Sequence, residues 1–120
     1  MTAILLETTV PDTGRLSMHV HTEVQINVSS AEAQRRVTQW VHRQLSSQMH
    51  GETPALILSQ PPAWRVPVHL TFPSLGDAGC VGSILVDVET GNLSVTQTLL
   101  LELERHAEDL AQRLTLAATR

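Results

Sequence analysis

The clearest structural pattern in the chain is the run Trp64-Arg65-Val66-Pro67-Val68-His69-Leu70-Thr71-Phe72. Its even-numbered positions are all apolar, and its odd-numbered positions hold Arg, Pro, His and Thr. Alternation with a period of two places one face of a β-strand in the core and the other towards solvent. Proline has no N–H to donate to a strand ladder, so we predict that this strand lies at a sheet edge or is bulged at Pro67.

Further strands are predicted on both sides of this run. Residues 55–58 form a short apolar segment, and a turn-rich link over 73–79 leads into a strand over 81–89, with Ile84, Val86 and Val88 facing inward. Near the N-terminus, residues 2–10 are rich in strand formers and residues 16–28 alternate again. We predict that these two segments pair as a β-hairpin around a turn at 11–14, with a bend near residues 21–23.

Two helices complete the predicted fold. Ser29 with Glu32, and Ser94 with Gln97, have the spacing of a capping box. They introduce apolar patterns of helical period that predict helices over about 30–47 and 95–117. The predicted fold is a single α+β domain over 1–120 with the order β-β-α-β-β-β-α, a mostly antiparallel sheet and both helices on one face. The expected core joins the apolar face of 64–72 to the helix face with Val37, Trp40 and Val41.

Composition narrows the functional class. The 120 residues fit one domain, and a hydrophobic fraction of 42% is normal for a globular protein. A net charge of −4, from 8 basic and 12 acidic residues, argues against nucleic acid as the partner. Cys80 is the only cysteine, which excludes an intrachain disulfide. Residues 1–10 do not resemble a signal peptide, and no apolar stretch has the length of a membrane span. We therefore expect a cytoplasmic protein without a membrane contact.

The segment around the quoted run resembles a known pattern. Trp64-Arg65-Val66-Pro67-Val68, a loop with glycines and Val86-Asp87-Val88-Glu89-Thr90-Gly91 resemble small uncharacterised bacterial proteins, and also PepSY-type domains. In those domains a helix precedes a hairpin whose second strand ends in an Asp-x-x-x-Gly or Asp-x-x-Thr-Gly turn. The resemblance covers about residues 30–93. It implies an inhibitory or binding module, usually outside the cytoplasm.

A second resemblance involves the N-terminus. Glu7-Thr8-Thr9-Val10-Pro11-Asp12-Thr13-Gly14-Arg15-Leu16 is similar to the strand-turn-strand opening of small antitoxins of the swapped-hairpin type. It spans about ten residues and implies a dimer that binds DNA.

Few groups of residues in the sequence have the chemistry to bind a metal ion or to act as paired carboxylates. His19 and His21 share one face of the predicted strand and could hold Zn²⁺ or Cu²⁺ with His69 or Cys80, but nothing in the sequence supplies a third ligand. We expect solvent-facing histidines and no metal site. Asp87 and Glu89 also share a face, and Asp87 is expected to support the Thr90-Gly91 turn.

The remaining catalytic patterns are missing from the sequence. Cys80 is expected to be a small buried hydrophobe. The sequence has neither a Gly-x-Ser-x-Gly elbow nor a Gly-rich phosphate loop. We therefore predict no catalytic residue, no cofactor and no enzymatic activity.

The expected interaction surfaces lie on the two helices. On the second helix Leu100, Leu101 and Leu116 widen an apolar stripe beyond what a small sheet needs, and this predicts a homodimer. On the first helix Arg35, Arg36 and Arg43 form a basic strip.

The chain is thus expected to be a non-enzymatic protein-interaction or regulatory module, such as an antitoxin-like partner of an adjacently encoded protein. The alternatives are a DNA-binding regulator that uses the hairpin or the basic strip, and a small metal-binding protein or enzyme that uses His19, His21 and a carboxylate.

Overall fold

The chain folds as an α+β domain. The computed structural model describes residues 3–5, 13–17, 19, 21, 23–59 and 61–118. Along the chain, the described elements are β1 (Ala3–Leu5), α1 (Ser30–Gln44), β2 (Met49–Gly51), β3 (Ala55–Ile57), β4 (Ala63–Phe72), β5 (Gly76–Asp87), β6 (Leu93–Ser94) and α2 (Gln97–Ala118). The predicted α+β class and both predicted helices are confirmed.

The six described strands form one mostly antiparallel sheet, as predicted. Its order is β1-β3-β4-β5-β6, and β2 pairs with β4 beside β3. The pair of β1 and β3 is parallel, and the other pairs are antiparallel. Neither β2 nor β6 was expected from the sequence, because each is only two or three residues long and lies in a segment that resembles a loop.

The prediction that Pro67 places its strand at a sheet edge is wrong, whereas the alternative prediction, a bulge, is met one residue further along β4. β4 is central, with β2 and β3 on one side and β5 on the other. Pro67 is tolerated because the neighbouring ladder is interrupted beside it: β2 ends at Gly51, β3 begins at Ala55, and the Glu52 N–H donates to the Pro67 carbonyl at 2.8 Å. The register with β5 also shifts between Val68 and His69.

The predicted N-terminal hairpin is wrong. Of the first predicted strand, residues 3–5 form β1, which pairs with β3; residues 2 and 6–10 lie outside the described residues, as do Pro11 and Asp12 of the predicted turn. None of the described residues of 16–28 is in a strand. The N–H groups of Asn27 and Val28 instead donate to the carbonyl of Val88, beyond the end of β5.

Each helix begins directly after a residue whose side-chain hydroxyl caps the first turn. The Ser29 hydroxyl accepts from the Glu32 N–H at 3.1 Å, which confirms the first predicted cap. The second predicted cap is wrong by two residues, because Ser94 belongs to β6. Thr96 caps α2 instead, since its hydroxyl accepts from the Leu99 N–H at 3.1 Å.

Both helices cover the same face of the sheet. Val68 of β4 is paired with Gly51 of β2 on one side and with Gly82 of β5 on the other. A Cβ atom at Gly51 would lie 3.1 Å from the Gln34 carbonyl oxygen of α1, and one at Gly82 would lie 2.7 Å from Cδ2 of Leu103 in α2. Glycine at these two positions lets the helices approach the strands closely.

The predicted core is confirmed. The apolar side chains of β4 and those of Val37 and Val41 belong to one buried cluster, on which Trp40 and Phe72 pack as partly buried members. Ile84, Val86 and Val88 face inward as predicted. The Trp64 indole N–H donates to the carbonyl of Val28 at 2.7 Å, so the buried ring has its polar group satisfied.

Candidate functional site

A cluster of two histidines and two carboxylates lies on the face of the sheet that the helices leave open. We call His50, Glu52, His69 and Asp77 the open-face cluster. His50 and His69 are paired across β2 and β4, in the row next to the inward-facing pair of Gly51 and Val68. Because adjacent strand residues point to opposite faces, the two histidines point away from the helices.

Strand geometry brings the carboxylates to the same place. Glu52 follows His50 by two residues, so it shares the face of His50 as the chain leaves β2. Asp77 of β5 is paired with Thr71, which shares the face of His69. Three separate segments thus contribute to one cluster, although His50 and Asp77 are far apart in the sequence.

The cluster contains two histidine–carboxylate hydrogen bonds. Nε2 of His50 lies 2.8 Å from Oε1 of Glu52, and Nδ1 of His69 lies 3.0 Å from Oδ2 of Asp77. The two rings are 6.2 Å apart between centroids. One ligand atom each from Glu52, His69 and Asp77 lies within 4.8 Å of the others. None of the four residues is buried, so the cluster is accessible to a solute.

The electrostatics favour an ionised Asp77. Its hydrogen bond from the His69 ring is the largest influence that lowers the pKa of this carboxyl, and the Gly79 N–H, which donates to Oδ1 at 2.9 Å, lowers the pKa further. Asp77 is thus held as an anion by donors that are fixed on β4 and β5.

The structure does not bring His19 and His21 to this cluster. Both are exposed, and His21 lies 3.8 Å from Glu23, itself exposed. His69, which was considered as a third ligand for them, forms a hydrogen bond with Asp77 instead.

The sequence analysis missed His50, Glu52 and Asp77. The alternate spacing of His50 and Glu52 was the available signal, but both residues lie between the predicted helix over 30–47 and the predicted strand over 55–58.

Asp87 and Glu89 do not form a paired acidic site. Oδ1 of Asp87 accepts from the N–H groups of Glu89 and Thr90 at 2.8 and 3.0 Å, so the carboxylate supports the turn, as expected. These two hydrogen bonds, that from Thr90 first, lower the pKa of Asp87.

Cys80 is exposed, which corrects the expectation of a buried residue. It lines a groove of about 410 Å³ between β5 and α2, together with His106, Asp109 and Arg113. The thiol lies 3.2 Å from the Gly82 carbonyl, and Nδ1 of His106 lies 2.8 Å from the Val81 carbonyl. Within the described residues no hydrogen bond joins Cys80 to His106.

The basic strip on α1 is partly neutralised. Arg35 and Arg36 both form ion pairs with Glu32, and Arg36 also donates to the Gly91 carbonyl at 3.0 Å. Arg36 therefore fastens α1 to the turn after β5, whereas Arg43 is exposed near the end of the helix. This arrangement does not present a row of free cations to a nucleic acid backbone.

The outer face of α2 exposes two leucine side chains. Leu103 is buried against the sheet, whereas Leu101 and Leu116 are 55% and 66% exposed. At 100° per residue these two leucines point to the side opposite Leu103. Leu100, the third predicted interface residue on this helix, is only partly exposed and lies on the flank.

No known protein family, curated protein or solved structure matches this chain. Neither α1 nor α2, over the residues described, has the length and apolar character needed to span a membrane.

Proposed function

We propose that this protein is a non-enzymatic interaction module that associates with a second copy of itself through the outer face of α2. We define the outer stripe of α2 as Leu101, Arg105, Glu108, Gln112 and Leu116, which fall within about 80° of the helix circumference at 100° per residue. All five residues are exposed. The observation that carries the proposal is the pair of exposed leucines on the side of the helix that the sheet does not use.

The surface around Leu116 extends the apolar area. A groove beside it is lined by Ala111, Gln112 and Thr115. A second groove joins Ala111 and Leu114 to the turn between β4 and β5, where Leu75 is exposed. When a partner removes such a cluster of apolar side chains from water, the free energy of the complex is lowered.

The charges in the middle of the stripe favour a second copy as the partner. Neither Arg105 nor Glu108 forms an ion pair within the described part of the chain. Two α2 helices that run antiparallel about a twofold axis would bring Arg105 of each copy towards Glu108 of the other. Opposite charges would then meet twice, with the leucines at both ends of the contact.

The wider role follows from this surface. A small dimer fits a regulatory module, such as an antitoxin-like partner of an adjacently encoded protein. The free thiol of Cys80 fits a reducing compartment, and we therefore propose that the protein is located in the cytoplasm.

Light scattering coupled to gel filtration tests this proposal. At micromolar concentration the wild-type protein should have twice the mass of one chain, and Leu101→Glu and Leu116→Glu should each give the mass of one chain. Leu16→Glu is the matched control, because Leu16 is 57% exposed but lies outside α2, and it should remain dimeric. A wild-type mass of one chain, or a dimer that survives both α2 substitutions, would exclude this interface.

A further inference from the structure

The open-face cluster has the composition of a transition-metal site. Its candidate ligand atoms are one imidazole nitrogen, from His69, and the oxygens of two carboxylates, from Glu52 and Asp77, which are all ligand types found around Zn²⁺ in proteins. Imidazole nitrogen favours Zn²⁺, Co²⁺ and Ni²⁺ over Mg²⁺ and Ca²⁺, which prefer oxygen-only ligands.

The distances are close to those that a bound ion requires. Ligand atoms about 2.0–2.2 Å from a tetrahedral Zn²⁺ lie roughly 3.3–3.6 Å from one another. The chosen atoms of Glu52, His69 and Asp77 are already within 4.8 Å of one another, and His69 is 3.0 Å from Asp77. Rotations of three partly exposed side chains would close the remaining gap without a change in the strands.

Charge supplies the driving force. Glu52 and Asp77 place two carboxylates within 4.8 Å, and this concentration of negative charge is relieved by a divalent cation. Nε2 of His50 lies 2.8 Å from Oε1 of Glu52, so His50 can donate a hydrogen bond to this carboxylate and fix its orientation towards the ion. The side chains start from β2, β4 and β5 or their ends, so the sheet holds their backbone positions in advance.

We propose that Glu52, His69 and Asp77 bind one Zn²⁺ ion on the open face of the sheet, with His50 as the residue that positions Glu52. Three protein ligands leave a fourth position for water or for a donor from another molecule. The site lies on the opposite side of the sheet from α2, so it is independent of the proposed dimer contact. This set of ligands differs from the one considered from the sequence, which was His19 and His21 with His69 or Cys80.

Isothermal titration of the metal-free protein with ZnCl₂ is the direct test. We expect one ion per chain with a micromolar or lower dissociation constant. His69→Gln should abolish the event, and Glu52→Gln and Asp77→Asn should each weaken binding at least tenfold. His50→Ala should weaken it by about ten- to a hundredfold, as expected for a group that orients a ligand. Mg²⁺ in millimolar excess should not compete.

The chain offers a matched control in a second histidine–carboxylate pair. His21 and Glu23 have the same spacing as His50 and Glu52, and both are exposed. His21→Ala should leave Zn²⁺ binding unchanged. Circular dichroism of each variant separates loss of binding from loss of fold, and Co²⁺ absorption bands that His69→Gln removes in a folded variant would confirm nitrogen ligation.

Two outcomes would overturn the site. One is the lack of stoichiometric binding of Zn²⁺, Co²⁺ and Ni²⁺, which would reduce the cluster to two separate hydrogen-bonded pairs. The other is binding that persists in His69→Gln or is lost in His21→Ala or His19→Ala, which would place the ion elsewhere.

Discussion

The indole N–H of Trp64 donates to the main-chain carbonyl of Val28 at 2.7 Å, and this bond connects the centre of the sheet with the segment that enters α1. Val28 is itself held by its N–H donating to the carbonyl of Val88 at 3.0 Å. Through these two bonds, the chain before α1 is fixed against strands that follow it in the sequence.

Replacement of Trp64 tests the importance of this connection. Trp64→Phe keeps most of the buried ring but leaves the Val28 carbonyl without its donor, and should cost about 1–3 kcal/mol. Trp64→Ala should cost about 3–5 kcal/mol because it also leaves a cavity. Urea denaturation measures both. Trp40→Phe is the control, since Trp40 is only partly buried and should lose less than Trp64→Phe. Losses below about 1 kcal/mol for Trp64→Ala would contradict the core assignment.

The contact between Gly82 and Leu103 tests how α2 is seated. Gly82→Ala would place a Cβ atom 2.7 Å from Cδ2 of Leu103, which is buried and cannot move away freely. We expect a loss of about 1–3 kcal/mol. The same substitution in a Leu103→Ala background should cost at least about 1 kcal/mol less, because the clashing atom has been removed. Equal losses in the two backgrounds would show that contact with Leu103 does not cause the loss.

Asp87 should make stability depend on pH in acid solution. Its hydrogen bonds from Thr90 and Glu89 lower the pKa of the folded carboxyl below the ordinary value of 3.8. A lowered folded pKa gives stabilisation that is complete above the unfolded pKa and disappears as the pH falls through the folded pKa. Asp87→Ala should therefore lower the urea midpoint at pH 7, and the difference from wild type should shrink below about pH 4. Asp87→Asn keeps an acceptor without the charge, so its own midpoint should vary less with pH. A difference that stays constant from pH 7 to pH 2 would contradict the role of the charge.

The success of the sequence analysis depended on whether a pattern was local. The alternation over 64–72 identified β4, and Ser29 with Glu32 identified the start of α1, because each signal is contained within a few residues. The alternation over 16–28 is broken only at Thr22 but produced no strand in its described residues. A strand needs a free neighbouring edge, and alternation carries no information about which edges are free.

The open-face cluster was missed for the same physical reason. His50, His69 and Asp77 meet only because β2 and β5 pair with opposite edges of β4. The register of those pairs, including the shift after Val68, decides which side chains become neighbours. No spacing within the sequence encodes this register. By contrast, the exposed leucines of α2 could be anticipated, since helical periodicity alone places Leu101 and Leu116 opposite Leu103.

Charge reversal within the outer stripe of α2 tests the proposed dimer most directly. Arg105→Glu alone and Glu108→Arg alone should each place like charges together across the twofold axis and give the mass of one chain by light scattering. An equimolar mixture of the two variants should give the mass of a dimer, because each chain then offers the charge that its partner lacks. The double variant Arg105→Glu/Glu108→Arg should also be dimeric. Single variants that remain dimeric, or a mixture that stays at the mass of one chain, would contradict self-association through this face.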